Sequence, residues 1–73
     1  MRPTVTQLEY FVAVARRLSF RGAAEEVHAT QPAISAQIQK LEATWKVQLF
    51  ERDRRRVILT PIGERLADAS SKL

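Results

Sequence analysis

The sequence predicts a mainly α-helical winged helix-turn-helix: three helices, a two-stranded wing and the start of a long linker helix. Three observations predict it. Apolar residues recur at helical spacing through the first two thirds of the chain. Thr, Ser and Pro stand where successive helices would begin. The period then changes to two short β-prone runs around an arginine-rich tip.

The first helix is expected over residues 6–18, with Leu8, Phe11, Val12, Ala15 and Leu18 as its apolar stripe. Thr6 with Glu9 fits a capping box, and Thr4 with Gln7 fits one equally well. Ser19 offers the N-cap of a short second helix with Phe20, Ala23, Ala24 and Val27 inside, and its two alanines allow close approach. After His28 and Ala29, Thr30 caps a third helix over 31–45. Pro32 falls in its first turn, where a missing N–H costs nothing. Ile34, Ile38, Leu41 and Trp45 are its buried stripe. Leu49 and Phe50, the charged stretch to Arg56, and then Val57, Ile58 and Leu59 read as a hairpin, a wing over 50–58, although no Asn-Gly or Asp-Gly marks its turn. Thr60 and Pro61 start a last helix in which Ile62, Leu66, Ala69 and Leu73, spaced 4, 3 and 4 apart, form an a/d-type seam suited to dimerisation. Residues 1–60 are thus expected to form the domain, and 61–73 the beginning of a linker or dimerisation helix.

With 73 residues the chain holds at most one small domain, and its 45% hydrophobic content suffices for a core. The net charge of +4 suggests a polyanionic partner, and its distribution says more. Four of the twelve basic residues, Arg52, Arg54, Arg55 and Arg56, fall in one five-residue stretch. The absence of cysteine removes disulfides, thiolate zinc sites and thiol chemistry. No apolar run approaches the ~20 residues of a membrane span, and none follows Met1 as in a signal peptide.

If Ile34, Ile38 and Leu41 face the core, the opposite face of the third helix carries Pro32, Ala36, Gln39 and Ala43. Ser35 and Lys40 flank it, and Gln31 sits in the first turn. Glutamine can bond adenine through two atoms, serine can donate or accept, and alanine or proline can touch a thymine methyl. Gln31, Pro32, Ala33, Ser35, Ala36 and Gln39 are therefore candidate base contacts in a major groove. Arg21, Thr30, Lys40, Arg52, Arg54, Arg55 and Arg56 are candidates for phosphate or minor-groove contact. Arg52 could instead bridge a carboxylate within the domain. His28, the single imidazole, sits at a helix end, where a capping or packing role is the commoner one. No triad, phosphate loop or ligand cluster can be assembled, so neither a catalytic residue nor a metal site is expected.

Leu8 to Ala15, Ser19-Phe20 with Ala23-Ala24, Gln31 to Ser35, Gln37-Ile38, Leu41-Glu42, Val47 to Arg52 and Leu59 to Gly63 together resemble the N-terminal domain of LysR-type transcriptional regulators. The resemblance covers almost the whole chain. It implies a bacterial, cytoplasmic, sequence-specific regulator that binds double-stranded DNA as a homodimer and forms tetramers at full length. It also implies a small-molecule effector bound by a C-terminal domain beyond this segment, which itself takes no cofactor. RNA polymerase is a further possible partner that these residues do not reveal. By resemblance, Gln31, Pro32, Ala33, Ser35 and Ala36 face bases and Arg55 reaches the minor groove. Three departures stand out. Ala36 replaces a common Arg, and small residues there also occur in the peroxide-sensing branch. Lys46 replaces a Gly that usually ends the helix in a left-handed conformation. Gly22 replaces a basic residue, a role Arg21 could take over. The alternative to DNA binding is a winged-helix protein-interaction module, which fold alone does not exclude.

Overall fold

The computed structural model describes residues 3–54 and 56–71. The expectations for Arg55 and Leu73 fall outside the described residues. The order is α1 (Val5–Arg17), α2 (Phe20–Val27), α3 (Gln31–Trp45), β1 (Phe50–Asp53), β2 (Arg56–Leu59) and α4 (Pro61–Ser71). It is the expected winged helix-turn-helix.

Of the two possible starts for α1, the chain uses Thr4 with Gln7. The Gln7 amide donates to Thr4 Oγ1 at 3.0 Å, and the Thr4 amide donates to Gln7 Oε1 at 3.1 Å. The expected stripe is corrected. Gln7, Phe11, Ala13 and Val14 are the buried residues of α1. Leu8, Val12 and Ala15 are half-buried. The reason is that α1 has two neighbours on different sides: Gln7 bonds α3, while Val12 and Ala15 border Ala67 of α4. Leu18 is not in the helix. It is the left-handed C-cap at φ 49°, and its side chain is 48% exposed where the chain reverses.

Ser19 Oγ accepts from the Gly22 amide and Thr30 Oγ1 from the Ala33 amide, so both predicted caps form. Ala23 and Ala24 are buried, which brings α2 close to its neighbours. His28 caps the end of α2 at φ 58°. Lys46 ends α3 at φ 54°, accepting the left-handed conformation that glycine would adopt more cheaply. The Val47 amide then closes on the Glu42 carbonyl at 3.1 Å. Ile34, Ile38 and Leu41 enter the core with Phe11, Val14 and Leu49. Trp45 does not: it is 36% exposed, sharing a surface depression with Val47 and Ile62 where α3 reaches its last turn.

The wing pairs antiparallel, with Phe50 opposite Leu59 and Asp53 opposite Arg56. Its loop is therefore two residues long, and Arg54 opens it at φ 60°, the sign such tight hairpin loops require. The wing's root is fixed by Thr60. Its amide donates to the Leu49 carbonyl at 3.0 Å, and its hydroxyl donates to the Gln48 carbonyl at 2.6 Å while accepting from the Gly63 amide at 3.0 Å. This seats the first turn of α4 directly on Leu49, and Leu66 and Ala67 pack against the core further along. A Cβ at Gly63 would press into the Leu49 carbonyl oxygen and come within 3.1 Å of Leu59 Cδ2. Gly63→Ala should therefore lower stability by about 1–3 kcal/mol, the range for overpacking a close contact. Thermal unfolding followed by circular dichroism checks this, and an unchanged melting temperature would contradict the seating.

Candidate nucleic-acid interface

The burial of Ile34, Ile38 and Leu41 sets the rotation of α3 about its axis. Gln31, Pro32, Ala33, Ala36, Gln39, Lys40 and Ala43 are then exposed, and Ser35 is half-buried at the flank. The exposed face is polar or small and carries no carboxylate. The single acidic residue of α3, Glu42, turns toward the wing instead. Its Oε2 accepts from the Leu49 amide at 2.7 Å and from the Phe50 amide at 3.4 Å. Sequence reasoning assigned Glu42 no role. Its partners lie seven and eight residues away, across a helix end that no local pattern predicts.

Strand alternation divides the arginine cluster. Arg52 shares a face with Phe50, opposite Val57, and so turns inward. Its guanidinium carbon stands 5.3 Å from the centroid of the Phe20 ring. The alternative of an internal carboxylate bridge is thus replaced by a cation–π contact. Arg56 lies on the other face, directly across from Asp53. Arg54 is exposed at the turn. All three are exposed, but they do not make one surface.

Phe20 continues the contact inward. Its ring meets Phe50 edge-on at 6.0 Å, and Phe50 meets the buried Phe11 at 5.3 Å. A chain of rings therefore runs from the core to Arg52. A cleft of about 490 Å³ opens between α3 and the wing, with Ser35, Gln39 and Glu42 on one wall and Phe50 and Arg52 on the other.

Of the remaining candidates, Thr30 uses its hydroxyl oxygen to cap α3. Arg21 is exposed and lies 3.5 Å from Glu25. Arg16 pairs with Glu26, which also lies 3.8 Å from Arg17, tying α1 to α2. Along α4, Ile62 is 44% exposed and Ala69 is exposed, whereas Leu66 is half-buried against its own domain. The seam is thus only partly free. Among the described residues, no group of three or more His, Cys, Asp and Glu side chains is placed to hold a metal ion, and no helix is long and apolar enough to cross a membrane.

A second polar contact also escaped the sequence reading. Gln7 Nε2 donates to Gln37 Oε1 at 3.3 Å, joining α1 to the flank of α3 away from the wing. The two residues are thirty positions apart, and only the fold brings them together.

Comparison with known proteins places this geometry. Residues 5–64 match the family described as bacterial regulatory helix-turn-helix protein, lysR family. The chain is 47% identical over 70 residues to the transcriptional regulator CfxR of Cupriavidus necator, covering 96% of this chain and 22% of that protein. It superposes on the oxidised form of OxyR from Corynebacterium glutamicum with a TM-score of 0.92 and 40% identity, covering 99% of this chain and 22% of the other. The BenM DNA-binding domain, solved with catB site 1 DNA, gives a TM-score of 0.90 and 40% identity, covering 94% of this chain and 78% of the other. The chain thus spans about a fifth of the length of the full-length relatives it matches.

Proposed function

Because the chain belongs to the bacterial LysR family of helix-turn-helix regulators, we propose that it is the duplex-DNA reader of a transcription factor, with α3 in the major groove and the wing along the sugar–phosphate backbone. One observation carries the reading. The exposed face of α3 is free of carboxylates and is bordered by an arginine-bearing wing anchored to the same helix. A relative with the same fold was solved in complex with DNA, which supports duplex DNA as the ligand; the groove assignment follows from how helix-turn-helix domains dock.

On this reading Gln31, Pro32, Ala33, Ser35, Ala36 and Gln39 contact bases, with Gln31 the main hydrogen-bonding reader. Thr30, Lys40, Arg52, Arg54 and Arg56 contact the backbone, and Arg21 does so once released from Glu25. An effector-sensing domain would lie in the rest of a longer cytoplasmic protein.

The test separates positioning from reading. A duplex selected by the chain from a random pool is titrated at several salt concentrations. Arg54→Ala with Arg56→Ala should weaken binding to selected and scrambled duplexes alike and reduce the slope of log affinity against log salt by about one per lost phosphate contact. Gln31→Ala should leave that slope intact and lose about 1–3 kcal/mol of preference for the selected site. Binding that ignores salt would reject DNA in favour of a protein-interaction module.

We propose further that α4 pairs with its counterpart in a second copy through Ile62 and Ala69. Leu66 is a poor probe, since it also packs into its own domain. Ile62→Asp should disturb the fold less than a change at Leu66, because Ile62 is already 44% exposed. It should weaken cooperative binding to a two-half-site duplex more than binding to one half-site, whereas equal losses would remove the dimer role.

A further inference from the structure

Gln7 is 8% exposed, and both ends of its amide are engaged. Its Oε1 accepts from the Thr4 amide as part of the α1 cap, and its Nε2 donates to Gln37 Oε1. The first bond fixes which end of Gln7 faces α3. That end is a donor, so it holds the oxygen of Gln37 and leaves the Gln37 amide nitrogen outside that bond. Among the described residues, no hydrogen-bond acceptor meets that nitrogen. Gln37 lies about 100° round the helix from Ala36, off the face that would meet base edges and on the side toward α1. When a helix lies in a major groove, its flanks run beside the sugar–phosphate strands.

We propose that Gln7 is a positioning residue for DNA binding: it locks the Gln37 amide with its NH₂ outward, as a donor to a backbone phosphate. The cap of α1 thereby sets the hydrogen-bonding polarity of one flank of the recognition helix. The inference rests on the DNA-binding reading above, and nothing in it requires Gln37 to read sequence.

Gln7→Glu tests it. A carboxylate at this position still accepts from the Thr4 amide, since glutamate is an ordinary capping-box partner. It cannot donate to Gln37. The Gln37 amide then turns to donate to it, and its oxygen faces the phosphate in place of NH₂. The melting temperature should hold, while affinity for both selected and scrambled duplexes falls roughly tenfold, the upper end of what one hydrogen bond contributes. In a Gln37→Met background no amide remains to be turned, so the same Gln7→Glu change should cost little more affinity.

An equal loss in both backgrounds would mean that the added negative charge acts by itself, and would overturn the proposal. No loss in the wild-type background would overturn it too. A second comparison avoids any change at the cap: Gln37→Glu still accepts from Gln7 but presents an oxygen outward, so it should bind DNA more weakly than Gln37→Met. Equal affinities for those two variants would again contradict the proposal. If the wild-type chain bound no duplex at all, the DNA-binding reading would fail instead, which keeps the two failures distinct.

Discussion

The carboxylate of Glu42, accepting the amides of Leu49 and Phe50, is the contact on which the arrangement of helix and wing depends. The chain has just left α3 through a strained left-handed residue, Lys46, and has no regular structure until Phe50. Without an acceptor, two backbone N–H groups next to the core would be left unsatisfied. A hydrogen bond to a charged group contributes about 1.5–3 kcal/mol. Glu42 supplies that acceptor from the helix that the segment has just left, so the path out of α3 and the root of the wing are fixed together. Leu49, fully buried, then accepts from Thr60 with its carbonyl, and the same carbonyl is the atom that admits only glycine at position 63. Recognition helix, wing and the first turn of α4 thus converge on two residues.

This anchoring has a functional side. It withdraws the single acidic side chain of α3 from the face that would approach DNA, and it holds a basic hairpin at a set distance from that face. The ring chain from Phe11 through Phe50 to Phe20 gives Arg52 an apolar platform. On the opposite flank, Gln7 grips Gln37. The helix is held by polar contacts on both sides and by Ile34, Ile38 and Leu41 beneath. Its outer surface is left free for a ligand, with little freedom to roll.

Much of this was legible in the sequence because it is local. Ser19, Thr30 and Pro32 announce helix starts through backbone chemistry within a few residues, and α3 has the predicted bounds. The hairpin lacked a favoured turn dipeptide, yet its two β-prone runs and charged tip sufficed, since Arg54 accepts a positive φ. What was not legible is tertiary. The stripe of α1 was misplaced because that helix packs on two neighbours, so more than one face is apolar. Trp45 keeps the helical period of the core but lies where α3 reaches its last turn. Arg52 and Arg56 belong to one cluster in sequence but lie on opposite faces of the wing, because strand residues alternate faces. Glu42 looks like an ordinary surface residue, and Gln7 like no more than a capping-box partner, until the wing and α3 are placed beside them.

The central claim is that Glu42 makes the wing and the recognition helix act on DNA as one body. A double-mutant cycle in DNA affinity between Glu42→Ala and Arg54→Ala measures that coupling directly. If the claim holds, removing Arg54 weakens binding in the wild-type background and has little further effect once Glu42 is gone, because an unanchored wing no longer holds the arginine against the duplex. If the two losses simply add, the wing finds the backbone without its tether, and Glu42 serves only the stability of the fold.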